Sequence, residues 1–300
     1  RYGLCRSQGL FWGPPLGTAL AWLSTSGTGL WGADTLPGWF QAVATLVVTA
    51  LLVASWQEIE EVPLPDAGST APGSAGGPSL SGFLWQPRVL AVLATMFCCG
   101  VAVTSNESVV PVVTQQALGW RGPDRGLPLS GMAVFLTVGQ GVVLCCSERG
   151  VQDRITTITG VAGFTVVLVA ALALWHLVET AREGPVEVLA PFLVMSFFAP
   201  FVMLGSFTMF SRLAMEDVPV HKGKCQALQS NVLAVTNIIA PCWLSLTYSG
   251  DLMRSQVVPQ TCFAGLALAM GASLAWLLAS YGHLRPVVGE ASSPLLREDG

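Results

Sequence analysis

Glu107 is the one carboxylate that stands well inside an apolar run of this 300-residue chain. A charge at the centre of a bilayer costs roughly 2.5 to 3.5 kcal/mol on insertion scales, so it needs a partner, water or a proton. Desolvation favours the neutral acid, which suits a site that takes up and releases a proton. The alternative is a helix that stops before Glu107 and leaves it solvated at the luminal mouth, since residues 87–106 already make about 30 Å of helix. Asn106-Glu107-Ser108 is also a formal glycosylation sequon, set too close to an apolar run to be used. Further along, Gln226, Ser230 and Asn237 are spaced by nearly whole helical turns in an apolar background. Such side chains either tie helices together or contact a polar solute, and Gln140 and Ser206 admit the same two roles. The candidate pathway residues are therefore Glu107, Asn106, Gln140, Ser230 and Asn237. His176 and His221 have no second ligand at metal spacing, and the chain has no paired-carboxylate, Ser-His-Asp or phosphate-cradling pattern. Neither an enzyme, a metal nor a cofactor is expected.

The elements that must hold these residues are membrane helices. The chain is 52% apolar and only 11% charged, with a mean hydropathy of +0.60; soluble domains carry about 25% charged residues. Runs of about 20 apolar residues span a bilayer, and eight emerge: Ser7 to Leu23, Leu36 to Trp56, Pro87 to Val113, Leu127 to Cys146, Ile155 to Leu177, Val186 to Phe210, Gln226 to Leu246 and Val257 to Tyr281. None shows the polar stripe of a soluble amphipathic helix. The turn formers and charges fall between them, as lipid demands of irregular backbone. A net charge of -4 supplies no basic field for nucleic acid. The eight cysteines fall mostly in apolar runs and read as small hydrophobes.

Basic residues stay preferentially in the cytoplasm. A cytoplasmic N-terminus places ten of the 14 Lys and Arg residues inside, with Arg121, Arg125, Arg182 and Arg254 outside. Gln57 to Gln86, acidic and then rich in Gly, Ser and Pro, reads as a flexible cytoplasmic linker. It separates residues 1–56, with two helices, from a six-helix bundle over 87–281. Residues 282–300 read as a disordered cytoplasmic tail, in which Glu290-Ala-Ser-Ser-Pro-Leu295-Leu296 loosely resembles an acidic dileucine address to lysosome or vacuole.

Several motifs carry a family resemblance. Gly9-x-x-x-Gly13-Pro14-x-x-Gly17 is a strip that lets helices approach closely, and it resembles the fifth-helix motif of major facilitator transporters. Asp34-Thr-Leu-Pro-Gly-Trp39 is similar to the opening of the sixth helix in SPX-type vacuolar phosphate transporters of that superfamily. Gln152-Asp153-Arg154 and Ser211-Arg212 match their charged eighth-to-ninth turn and the end of their tenth helix. Glu107-Ser-Val-Val-Pro111 resembles the seventh helix of the lysosomal ceroid-lipofuscinosis-associated member. The resemblance implies an N-terminally truncated major facilitator fold, with helices five to twelve present and Asp153, Arg154 and Arg212 forming a cytoplasmic gate.

The expectation is an all-α polytopic membrane protein of about eight transmembrane helices. It would act as a secondary transporter of a small polar or anionic solute by alternating access, coupled to protons at Glu107. Its partners would be the lipid bilayer, the solute and protons, in a vacuolar or lysosomal membrane. A channel-like anion pathway and a non-transporting remnant are the competing expectations.

Overall fold

The computed structural model describes residues 79–120, 126–178, 185–253 and 260–284, together with Val43, Leu46 and Val47. The two N-terminal runs, the Gly9/Gly13/Pro14/Gly17 strip, Arg121, Arg182 and the dileucine tail lie outside the described residues, apart from Val43, Leu46 and Val47, which are helical and exposed.

The described chain is helical, with no strand: α1 (Leu80–Leu84), α2 (Pro87–Ala117), α3 (Gly126–Glu148), α4 (Asp153–Val178), α5 (Pro185–Asp217), α6 (Lys222–Met253) and α7 (Gln260–Ala279). Single 3-10 turns follow α5 at Pro219–His221 and α7 at Tyr281–Leu284. Helices α2 to α7 coincide with the last six apolar runs, and all six are long and apolar enough to cross a membrane. The described part is therefore an all-helical, multi-pass membrane protein.

Two expected boundaries shift. The last residues assigned to the flexible linker are ordered, because Ser79 caps α1 by accepting from the Gly82 N–H and Phe83 buries its ring edge-on against Phe210, centroids 6.0 Å apart. Residues 282–284, assigned to the tail, belong to the closing 3-10 turn, in which Leu284 is buried. Proline at the first position of α2 needs no N–H partner, which is why that helix starts at Pro87.

The helices alternate in direction. The start of α2 meets the end of α5 through Arg88 and Asp217, and the start of α4 meets the same end through Asp153 and Arg212. Arg154, also at the start of α4, lies over the Tyr281 ring just beyond α7. At the opposite end, Tyr248 near the end of α6 donates to Gln116 near the end of α2 at 2.6 Å. So α2, α4 and α6 run one way while α3, α5 and α7 return. The α3–α4 turn is tight because Gly150 takes φ 75°, a left-handed conformation that glycine adopts without a β-carbon clash.

Helices α2 and α5 form the centre. Helix α5 packs along α4, α3 and α2, while α2 also packs on α6 and α7. Close approach to α5 depends on missing side chains: a β-carbon at Gly139 of α3 would strike the Phe197 carbonyl, and one at Gly160 of α4 would strike Phe201. Where α4, α5 and α7 converge, Trp175, Phe192 and Phe263 stack with ring centroids 5.2 to 5.7 Å apart. In contrast, only 22% of the apolar window of α3 and of α6 is buried, against 67% in α2. Those two flanking helices leave a wide surface to be covered by something else.

Candidate functional site

Helix α2 carries a polar run, Thr104-Ser-Asn-Glu-Ser108, inside its apolar sequence. The helix does not stop there. It continues through Pro111 to Ala117, so Glu107 lies within a 31-residue helix rather than at its end. Glu107 is therefore not the end of its helix, although the helix is longer than a hydrocarbon core of about 30 Å. Glu107 is 19 residues past Arg88, about 28 Å along the axis.

Each polar residue of the run has its own direction. Asn106 is 2% exposed and its amide nitrogen donates to the Phe192 carbonyl at 3.2 Å and reaches Ser196 Oγ at 3.4 Å, so it ties α2 to α5. Its burial also closes the sequon to any glycosyl group. Thr104 turns the other way and donates to Asn237 Oδ1 of α6 at 3.2 Å. One turn below this contact, a β-carbon on Gly100 would collide with Thr236, so α2 and α6 approach closely there. Glu107 lines a cavity of about 10 Å³ with Asn106 of α2, Leu129, Met132, Ala133 and Leu136 of α3, and Ser196 of α5. That is room for about one water.

Thr104 and Glu107, three residues apart, share one face of α2. Their neighbours place that face between α6 on one side and α3 on the other. It forms the floor of an open side of the bundle, and α3 and α6 form its walls.

The wall contributed by α6 is divided lengthwise into three strips. Cys225, Gln229, Leu233, Thr236, Ala240 and Leu244 are buried against the bundle. Asn231, Val235, Ile238, Ile239, Cys242 and Leu246 are exposed on a second strip that is hydrocarbon apart from the Asn231 amide and the thiol. Between these two, Gln226, Ser230, Ala234, Asn237, Pro241 and Ser245 recur every three or four residues, all exposed and all small or polar. The hydrocarbon strip suits lipid; the small and polar strip suits neither lipid nor the core. On α3, Thr137 and Gly141 are exposed and Gln140 is half-buried.

Of the residues expected to form a pathway, Glu107, Ser230, Asn237 and Gln140 thus belong to the open side or its margin. Asn106 contributes from behind, through the cavity shared with Glu107. Thr104 and Ser196 were absent from the expected set. Thr104 was detectable as the residue three before Glu107, whereas Ser196 sits in an apolar stretch with nothing local to mark it.

The three residues expected to form a cytoplasmic gate lie at one end of the bundle, but they divide their contacts. Arg212 Nη1 is 3.0 Å from Asp153 Oδ2 without the alignment of a hydrogen bond, a Coulombic contact between α5 and α4. Arg154 instead reaches Gln152 Oε1 at 2.6 Å and stacks over Tyr281 at 4.4 Å. Arg88 and Asp217, not anticipated from sequence, form a shorter pair at 2.6 Å between α2 and α5. All of these contacts are internal to the six-helix bundle. The six described Lys and Arg positions, Arg88, Arg149, Arg154, Arg212, Lys222 and Lys224, are all at this end. Among the described residues no group of His, Cys, Asp and Glu is arranged to hold a metal.

The geometry defines a class, a multi-pass helical membrane protein with one polar side. Comparison with protein-family models, curated proteins and solved structures gave no match to this chain.

Proposed function

We propose that the protein is a secondary transporter that moves a small polar solute along the open side of its six-helix bundle, with Glu107 as the proton-coupling group. The supporting observation is the strip on α6. Exposed Gln226, Ser230 and Asn237 lie within a helix apolar enough to cross a membrane, next to a separate, largely hydrocarbon strip suited to lipid. Polar groups in hydrocarbon are expensive unless they face protein or water. A solute path bounded by this strip, by Thr104 and Glu107, and by the polar edge of α3 gives them a partner.

Helix α2 is suited to a coupling role because Pro111 removes the helical donor for the carbonyl four residues earlier, that of Glu107. Helix α6 repeats the arrangement with Pro241 and Asn237. Proline inside a continuous membrane helix frees a carbonyl that neighbouring polar groups can satisfy, and a polar side chain stands at each such position here. Alternation between the two faces follows the major facilitator pattern that the motif resemblance implies. The ion pairs at the Arg88 end hold α2, α4 and α5 together as one body during that motion. We place the protein in a vacuolar or lysosomal membrane, on the resemblance of its motifs and tail.

Reconstituted in vesicles with an imposed pH gradient, the full chain should accumulate its solute, and Glu107→Gln should abolish that accumulation because glutamine mimics only the protonated acid. Conductance that persists without a pH gradient, with ion preference altered by Glu107→Gln, would favour a channel instead. Gradient-driven uptake unchanged by Glu107→Gln would end the coupling role.

A further inference from the structure

A second polar feature lies at the Arg88 end, away from the open side of the bundle. A cavity of about 270 Å³ is lined, among the described residues, by Gln86, Pro87 and Arg88 at the start of α2 and by Ser280 just beyond α7. Its polar groups are held in place. Arg88 Nε donates to Gln86 Oε1 at 2.8 Å and Nη2 donates to Asp217 Oδ2 at 2.6 Å, which fixes the guanidinium and leaves Nη1 without a partner among the described residues. Gln86 accepts through its oxygen, so its amide nitrogen remains free to donate, and as the cap residue of α2 it makes no side-chain bond to the first turn. Ser280 is only 6% exposed and lines the cavity, yet its hydroxyl has no partner among the described residues. A buried hydroxyl is ordinarily hydrogen-bonded, so this one is short of a ligand. Directly before Gln86, Trp85 is 77% exposed.

We propose that this cavity holds the phosphate of an anionic phospholipid headgroup from the leaflet at the Arg88 end. The site offers donors: Arg88 Nη1, Gln86 Nε2 and Ser280 Oγ, backed by the positive end of the 31-residue helix α2 and its unfilled first turn. Phosphate oxygens are acceptors, and a guanidinium already oriented by two bonds meets them with little further ordering. None of the described lining residues is a carboxylate, so a cation would meet Arg88 with nothing to offset it. Asp217 neutralises part of the Arg88 charge from outside the cavity, which suits a single phosphate group rather than a polyanion. Position identifies the source. The cavity lies where α2 begins and α7 has just ended, at the level of the headgroups for two helices that are apolar enough to cross a membrane. An exposed indole such as Trp85 belongs at that level, and basic pockets between helix ends on the cytoplasmic side take anionic headgroups. The proposal stands independently of the transport reading.

The test is the thermal midpoint of the purified full chain in detergent, titrated with dioctanoyl phosphatidic acid, dioctanoyl phosphatidylcholine or inorganic phosphate. Phosphatidic acid should stabilise saturably, phosphatidylcholine should not because its choline cation would stand against Arg88, and inorganic phosphate should bind at least tenfold more weakly. Arg88→Gln should weaken the apparent Kd for phosphatidic acid at least tenfold. Because that change also breaks the pair with Asp217, Ser280→Ala and Gln86→Ala decide the matter, each with an expected loss of three- to tenfold. Trp85→Ala should weaken phosphatidic acid and leave inorganic phosphate unchanged, while Leu268→Ala on the exposed face of α7 alters neither. Equal stabilisation by phosphatidylcholine, or saturation by phosphatidic acid that is indifferent to both Ser280→Ala and Gln86→Ala, overturns the proposal. Inorganic phosphate binding as tightly as phosphatidic acid would mark a site for free phosphate and overturn the lipid source. Absence of saturation by phosphatidic acid overturns it outright.

Discussion

Asn106 and Glu107 are adjacent in sequence and do different work. Consecutive helical residues point about 100° apart, which sends the amide of Asn106 into α5 and leaves Glu107 towards α3. Asn106→Ala should therefore lower the thermal midpoint of the purified protein, by the equivalent of about 1–3 kcal/mol for a buried polar contact. The same change should leave Thr104 and Asn237 on the open side unaltered. A midpoint equal to that of wild type would show that the tie to Phe192 and Ser196 contributes nothing. The importance of Glu107 was legible from the sequence, because an isolated carboxylate in an apolar run is conspicuous by composition alone. Its partners were not. The Thr104 to Asn237 contact joins residues 133 positions apart, and it depends on the relative rotation of α2 and α6, which no local pattern encodes.

At the scale of elements, apolar runs mark the segment that lipid can surround, whereas helices extend as far as their backbone bonds and end contacts are satisfied. The run Val186 to Phe210 thus lies inside a helix that continues to Asp217. Those last residues are polar or charged enough to fall outside any hydropathy window. They are held by Arg88 on Asp217 and by Asp153 on Arg212. Glycine spacing in α3 and α4 likewise carried no visible role until α5 was seen to lie against it. Gly139→Val should disrupt assembly of the bundle, since its β-carbon would overlap the Phe197 carbonyl and backbone cannot give way cheaply. Gly141→Ala, two residues on, meets nothing within 4 Å and should be tolerated. Yield of monodisperse protein from the two variants checks the pair, and equal yields would contradict close packing of α3 on α5.

For the whole molecule, the order of the six crossings was available from the sequence, since their spacing and turn residues dictate alternation. Orientation adds a separate claim. The six described basic positions at the Arg88 end should face the cytoplasm. Thiol labelling in intact vesicles of known sidedness, applied to Gly150→Cys and Gly119→Cys, should place the two on opposite sides, with residue 150 cytoplasmic; labelling from the same side would refute the alternation. What sequence alone left undecided was whether the polar residues of α6 bind other helices or face a solute path, and the structure adds which of them stay exposed among the described residues. Asn237 makes one contact with α2 and stays exposed, while Gln226 and Ser230 are exposed on the same strip. The central claim is that this strip meets water in the membrane while its neighbour meets lipid. In a background with the native cysteines replaced, Ser230→Cys and Asn237→Cys should react with a charged, membrane-impermeant thiol reagent supplied to both sides, and Ile238→Cys and Leu246→Cys should not. Equal protection at all four positions would contradict a solute path along this side of the bundle.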